Sequence, residues 1–105
     1  MNTLEYHIHS WSINNPDKIA LIDKNKTFSY KDLFENIWAS KKKLELEYGI
    51  SKGDTVILAA NKNVAFVFIY FALHFIGAKV MPIDELISQD RLKFILDKIS
   101  PKLII

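Results

Sequence analysis

The sequence predicts an α/β fold, a three-layer-like parallel sheet with crossover helices plus a small antiparallel hairpin. Three observations predict it. Thr55-Val56-Ile57-Leu58-Ala59-Ala60 is a short, uncharged, β-branched-rich run of the kind that a strand covered on both faces requires. Val64 to Ile76 is apolar on every side except at Tyr70 and His74, with Asn61 or Asn63 as N-cap and Gly77 free to turn left-handed at its end. Lys79-Val80-Met81-Pro82-Ile83-Asp84 then reads as a second strand, with Pro82 near its end, where a missing N–H does little harm. Strand, buried helix and strand in this order make a parallel crossover, and the expected hand is right. A helix of about 13 residues is too short to span a bilayer, which takes about 20.

Taken in order, the chain opens with Thr3 as an N-cap and Leu4, Ile8 and Trp11 on one helical face, ended by Asn14-Asn15-Pro16. Lys18 to Asp23 and Thr27 to Ser29 are strand-like runs joined by the polar turn Lys24-Asn25-Lys26, so a β-hairpin is expected. Ser29-Tyr30-Lys31-Asp32 has the form of a capping box with Asp32 at N3, a carboxylate also favoured by the positive end of the helix. That helix runs to Tyr48 with Leu33, Phe34, Ile37, Leu44 and Tyr48 as its apolar stripe, and Gly49 closes it. Ile50 to Asp54 turns the chain into the 55–60 strand. After the second strand, Ser88 caps a helix whose Leu92, Ile95, Leu96 and Ile99 face inward, and Pro101 stops it. Residues 102–105 begin a third parallel strand. An apolar strand with no polar exit turn leads to the expectation that the sequence is a piece of a longer protein. The alternative is a small domain with a C-terminal edge strand, less expected because edges are usually blunted by charge or proline.

Composition allows one domain. A chain of 105 residues buries about 65% of its unfolded surface, enough for a modest core. Half the residues are hydrophobic and a quarter charged, which argues against disorder. The formal charge of +2, from 14 basic and 12 acidic residues, names no partner, and no nucleic acid or membrane is expected. The absence of cysteine excludes a disulfide scaffold and any thiolate metal site. No basic region followed by an apolar core opens the chain, so the cytoplasm is the expected location.

Few residues suggest chemistry. The glycines, at positions 49, 53 and 77, never fall into a Gly-x-Gly-x-x-Gly or Walker-type loop, so they build no phosphate cradle. Asp84, Glu85 and Asp90 cluster after the second strand, where ligands bind in open α/β sheets. A metal there is one reading. Caps and solvated loop charges are the better one, because no histidine joins them. His7 and His9 lie two residues apart, roughly 200° around a helix, so they cannot ligate one metal from one face and read as solvated or locally paired. His74, inside the apolar helix, reads as a satisfied, half-buried histidine rather than a catalytic one. Lys41-Lys42-Lys43 reads as a solvated helix face, since no stacking aromatics interleave with it in a nearly neutral chain.

Four blocks carry a resemblance: Pro16-Asp17-Lys18-Ile19-Ala20-Leu21; Phe28-Ser29-Tyr30-Lys31-Asp32-Leu33; Gly49-Ile50 with Lys52-Gly53-Asp54 and Val56; and Gly77-Ala78 with Pro82-Ile83-Asp84 and Arg91-Leu92. Their order and rough spacing resemble the N-terminal part of the large domain of the adenylate-forming (AMP-binding) enzyme superfamily, and the likeness covers essentially all 105 residues. The superfamily includes acyl-CoA synthetases, nonribosomal peptide synthetase adenylation domains, D-alanine carrier-protein ligases and luciferases. Each block alone is weak; four in register are specific. The resemblance implies a parent enzyme that uses ATP and Mg to activate a carboxylic or amino acid as an acyl-adenylate. The parent then transfers the acyl group to a thiol of CoA or a carrier protein.

The family's phosphate-binding loop, its later adenine and ribose motifs and the lysine of its mobile C-terminal domain lie beyond the region this sequence matches. No catalytic, cofactor-binding or metal residue is therefore assigned within residues 1–105, and the chain alone is expected to be inactive and to hold no cofactor. Lys79 and Met81 depart from the usual small or aromatic residue and valine of their block. Two other classes of protein compete with this reading: a free-standing flavodoxin-like or response-regulator-like signalling module, and a non-catalytic interaction protein derived from the enzyme. A response regulator needs an acidic pair after its first strand, and Asn61-Lys62-Asn63 is the wrong chemistry. Apolar surface beside Phe66, Val67 and Tyr70, with the edge at Leu103 to Ile105, leads to the expectation of self-association.

Overall fold

The computed structural model of the chain describes residues 3–59, 63–84 and 86–105. Helix α1 (Leu4–Asn14) is followed by strands β1 (Ile19–Asp23) and β2 (Lys26–Ser29), helix α2 (Tyr30–Tyr48) and strand β3 (Thr55–Leu58). Helix α3 (Val64–Ile76), strand β4 (Lys79–Pro82), helix α4 (Gln89–Lys98) and strand β5 (Leu103–Ile104) complete it.

Local chemistry explains where each helix begins. The hydroxyls of Thr3, Ser29 and Ser88 and the side-chain oxygen of Asn63 each accept a hydrogen bond from a backbone N–H three residues on, satisfying a donor the helix leaves free. Asn61, the other cap candidate, lies outside the described residues. The capping box is complete, because the Ser29 N–H donates to the Asp32 carboxylate and the Asp32 N–H to the Ser29 hydroxyl, both at 3.1 Å. Ser29→Ala should therefore lower stability by about 1 kcal/mol. Urea titration checks this, and a midpoint equal to that of the unsubstituted chain would mean the box contributes nothing.

β1 and β2 form the expected antiparallel hairpin, from Asp23↔Lys26 inward. The turn is tighter than the sequence predicts: Lys26 belongs to the strand, leaving Lys24-Asn25, with Lys24 at φ 56°. Left-handed backbone at that position matches the right-handed twist of the flanking strands.

β3, β4 and β5 form a parallel sheet in the order β4-β3-β5. Thr55 to Leu58 pairs with Lys79 to Pro82, and Val56-Ile57 pairs with Leu103-Ile104. The strands are shorter than the sequence runs, ending at Leu58 rather than residue 60 and at Pro82 rather than Asp84, although the Ala59 and Ile83 N–H groups still bond across the sheet. Ladder-like bonds from Lys102 N–H to the Thr55 carbonyl and from Ile105 N–H to the Ile57 carbonyl extend β5 on both sides. β4 is an edge strand, which explains both Pro82 and the exposed Lys79: an edge tolerates a missing N–H and is protected by a charge.

The chain leaves β3 toward β4 on one side and returns from β4 to β5 on the other. Crossovers of one hand therefore put α3 and α4 on opposite faces, giving the three-layer arrangement. On the first face α1, α2 and α3 pack together around Ile8, Leu33, Ile37, Leu44, Ala72, Leu73 and Val56. Ile57 and Leu58 are equally buried beside Val56, and strand alternation turns Ile57 to the face opposite Val56. α4 is the looser layer. Leu92, Ile95, Leu96 and Ile99 are half-buried as their periodicity predicts, yet no residue of α4 is fully buried and Phe94 is exposed. Tyr48, placed in the α2 stripe by spacing, is 47% exposed, at the rim of a groove it shares with Ile69 of α3 and the end of β5.

Candidate functional site

In an open parallel sheet the strands' carboxyl ends are where loops and helix N-termini converge on a ligand. Here that edge is formed by Leu58-Ala59, Ile83-Asp84 and the end of β5. The Ala59 N–H donates to the Ile105 carbonyl at 2.7 Å and the Ile83 N–H to the Leu58 carbonyl at 2.9 Å, so the three strand ends are tied together. Between the end of β4 and the start of α4 a depression of about 420 Å³ is lined by Met81, Pro82, Ile83, Ile87, Arg91 and Ile95.

The polar groups around it are engaged in shaping the backbone. Asp84 Oδ1 accepts from the Leu86 N–H at 2.9 Å, and the Asp84 carbonyl accepts from the Ile87 N–H at 3.0 Å, so this carboxylate closes a turn. The Ser88 hydroxyl accepts from the Arg91 N–H at 3.2 Å as the cap of α4, and Asp90 lies in the first turn of that helix, where its charge is favoured. Of the acidic trio, Asp84 and Asp90 thus act as turn and helix-end residues; Glu85 lies outside the described residues. Among the described residues no three of His, Cys, Asp and Glu converge in a way that holds a metal.

The histidines serve packing and pairing. His7 stacks on Trp11 with ring centroids 5.3 Å apart, and His9 stacks on Phe34 at 4.9 Å, so they leave α1 in different directions, as two residues of a helix must. His74 differs from expectation. Its side chain, expected to be half-buried, is 37% exposed, while the partner expected for a satisfied ring is present as Glu5 Oε1, 3.6 Å from Nδ1. α1 lands beside the C-terminal end of α3 and brings that carboxylate with it. Lys41 bonds Glu45 at 2.9 Å, one helical turn on, and lies over the Trp38 ring at 4.7 Å. Lys42 and Lys43 are exposed, as a solvated helix face predicts.

Each glycine serves the backbone. Gly49 and Gly77 end α2 and α3 at φ 66° and 88°, and Gly53 takes φ 89° in the turn before β3. The Gly53 N–H donates to the Gly77 carbonyl at 3.1 Å, which ties that turn to the end of α3.

Two surface features have no signal in the sequence. Phe34, Trp38 and Phe75 form an aromatic cluster with His9, assembled from three helices. A groove of about 390 Å³ runs beside the outer edge of β5, lined by Lys43, Leu44, Tyr48, Ile69 and residues 103–105. Phe66, Val67 and Tyr70, expected to be left open, are half-buried; Val67 packs on the main core and Phe66 stacks on Tyr70 at 6.0 Å.

A parallel sheet entered by a capping-box helix, with a small hairpin alongside and its strand ends knit together by backbone bonds, is the N-terminal subdomain architecture of adenylate-forming enzymes. The fold is shared with the Klebsiella oxytoca NpsA N-terminal subdomain in complex with 3-hydroxyanthranilyl-AMSN, at TM-score 0.88 and 21% identity over 99% of this chain and 26% of that one. The AMP-binding enzyme family matches residues 9–105, and the chain belongs to that family of adenylate-forming ligases. It is 35% identical over 106 aligned positions to enterobactin synthase component F of Escherichia coli (strain K12), covering 98% of this chain and 8% of the relative. It is 26% identical to 2-succinylbenzoate–CoA ligase of Geobacillus kaustophilus (strain HTA426), covering 100% of this chain and 21% of that enzyme. The chain thus spans a small part of the length of the relatives it matches.

Proposed function

We propose that this chain is the N-terminal portion of the adenylation domain of an ATP-dependent acid–thiol ligase. In the reaction proposed for the whole protein, an acid carboxylate attacks the α-phosphorus of ATP and displaces pyrophosphate. A thiol of CoA or of a carrier protein then displaces AMP from the acyl-adenylate. The observation that carries this reading is the family match over residues 9–105. A carrier protein is favoured as the acceptor by the higher identity to the enterobactin synthase component than to the CoA ligase. Reading the coding sequence downstream of Ile105 tests the proposal. A glycine-rich phosphate loop ending in Pro-Lys-Gly supports it, and a stop codon immediately after Ile105 overturns it.

The described residues do not themselves fit ATP or Mg. The N–H groups of Gly49, Gly53 and Gly77 are spent on backbone carbonyls rather than offered as a phosphate cradle, and Asp84 and Asp90 serve a turn and a helix end. Their role in the proposal is scaffold, which seats the strands from which later loops would reach a nucleotide. The 105-residue chain is therefore expected to show no micromolar ATP binding by calorimetry and no acid-dependent ATP–pyrophosphate exchange. A Mg-dependent micromolar ATP site on this chain would overturn the scaffold role while leaving the family assignment intact.

Two further parts of the proposal concern the chain's surroundings. The cytoplasm is the proposed location; no helix among the described residues is long and apolar enough to cross a membrane. Self-association of the isolated chain is proposed to run through the outer edge of β5, where Ile104 is 47% exposed and residues 103–105 carry no side-chain charge to blunt pairing. Sedimentation velocity at high micromolar concentration should then resolve a species larger than the monomer that Ile104→Lys diminishes. A clean monomer overturns it.

A further inference from the structure

We draw no further inference here: the strongest candidate, the partly exposed aromatic cluster of His9, Phe34, Trp38 and Phe75 with the groove of about 300 Å³ that Phe34, Trp38 and Lys42 line, has nothing in the structure to show what covers it.

Discussion

Leu73→Ala should destabilise the chain by about 2–5 kcal/mol, a large share of the 5–15 kcal/mol that holds a domain of this size folded. Leu73 is 0% exposed and lies in the same cluster as Ile37, Leu33, Leu44 and Val56, where α2, α3 and the sheet meet. Truncation removes the transfer free energy of the lost carbons. It also leaves a cavity that neighbours on two helices and a strand cannot fill without moving together. Leu46→Ala is the matched control, since Leu46 sits on the solvent face of α2 at 83% exposure, where the cost is expected to stay within about 0.5 kcal/mol. Urea unfolding followed by circular dichroism measures both. The Leu73 variant should lose midpoint with an unchanged slope, and equal midpoints for the two variants would mean that α3 is not seated on α2 as described.

Gly77→Val should cost more than about 1 kcal/mol, from strain and crowding acting together. Gly77 ends α3 at φ 88°, and its N–H donates to the carbonyls of Leu73 and His74, so the left-handed conformation is tied to the helix end. Its own carbonyl receives the Gly53 N–H, so the residue cannot relax to negative φ without also releasing the turn before β3. A Cβ there would lie 3.1 Å from Lys52 Cγ, a contact the flexible lysine relieves for one carbon and less readily for a branched one. Gly49 separates the two effects, because it is also left-handed at φ 66° but has nothing within 4 Å of an added Cβ. Gly49→Val should therefore report strain alone and Gly77→Val strain plus crowding. With about 4–8 °C of melting temperature per kcal/mol in a domain near this size, calorimetry resolves the difference. An unchanged melting temperature for Gly77→Val would mean that residue 77 accepts ordinary dihedrals.

The helix ends are legible because their physics is local. A cap needs an oxygen and an N–H three residues apart, and the sequence states that spacing directly at Thr3, Ser29, Asn63 and Ser88. The family is legible for a related reason, since its blocks near Tyr30, Gly53 and Pro82 occupy a helix start, a turn and a strand end, positions where the backbone restricts residue choice. Strand lengths are less legible. Ala59 continues the apolar run of β3 and still donates its N–H to the Ile105 carbonyl, yet the registered pairs stop at Leu58, a limit that apolar composition does not mark.

His74 marks the limit of one-dimensional reasoning most clearly. Periodicity places it on an apolar helix and suggests a satisfied, half-buried ring, yet its carboxylate partner comes from α1, a helix about 70 residues away in sequence. The aromatic cluster around Trp38 and the groove beside β5 are assembled in the same way, from segments with no periodic relation to one another.

The sequence by itself determined the α/β class, the four capped helices, the hairpin, the central parallel crossover and the adenylate-forming family, because each depends on spacing within a short window or on blocks in fixed order. Only the tertiary structure decided the strand order β4-β3-β5, the joining of α1, α2 and α3 into one packed layer while α4 stays loosely held, and the use of Asp84 in a turn. Those outcomes depend on which distant surfaces exclude water together. That free energy belongs to pairs of segments rather than to any one of them.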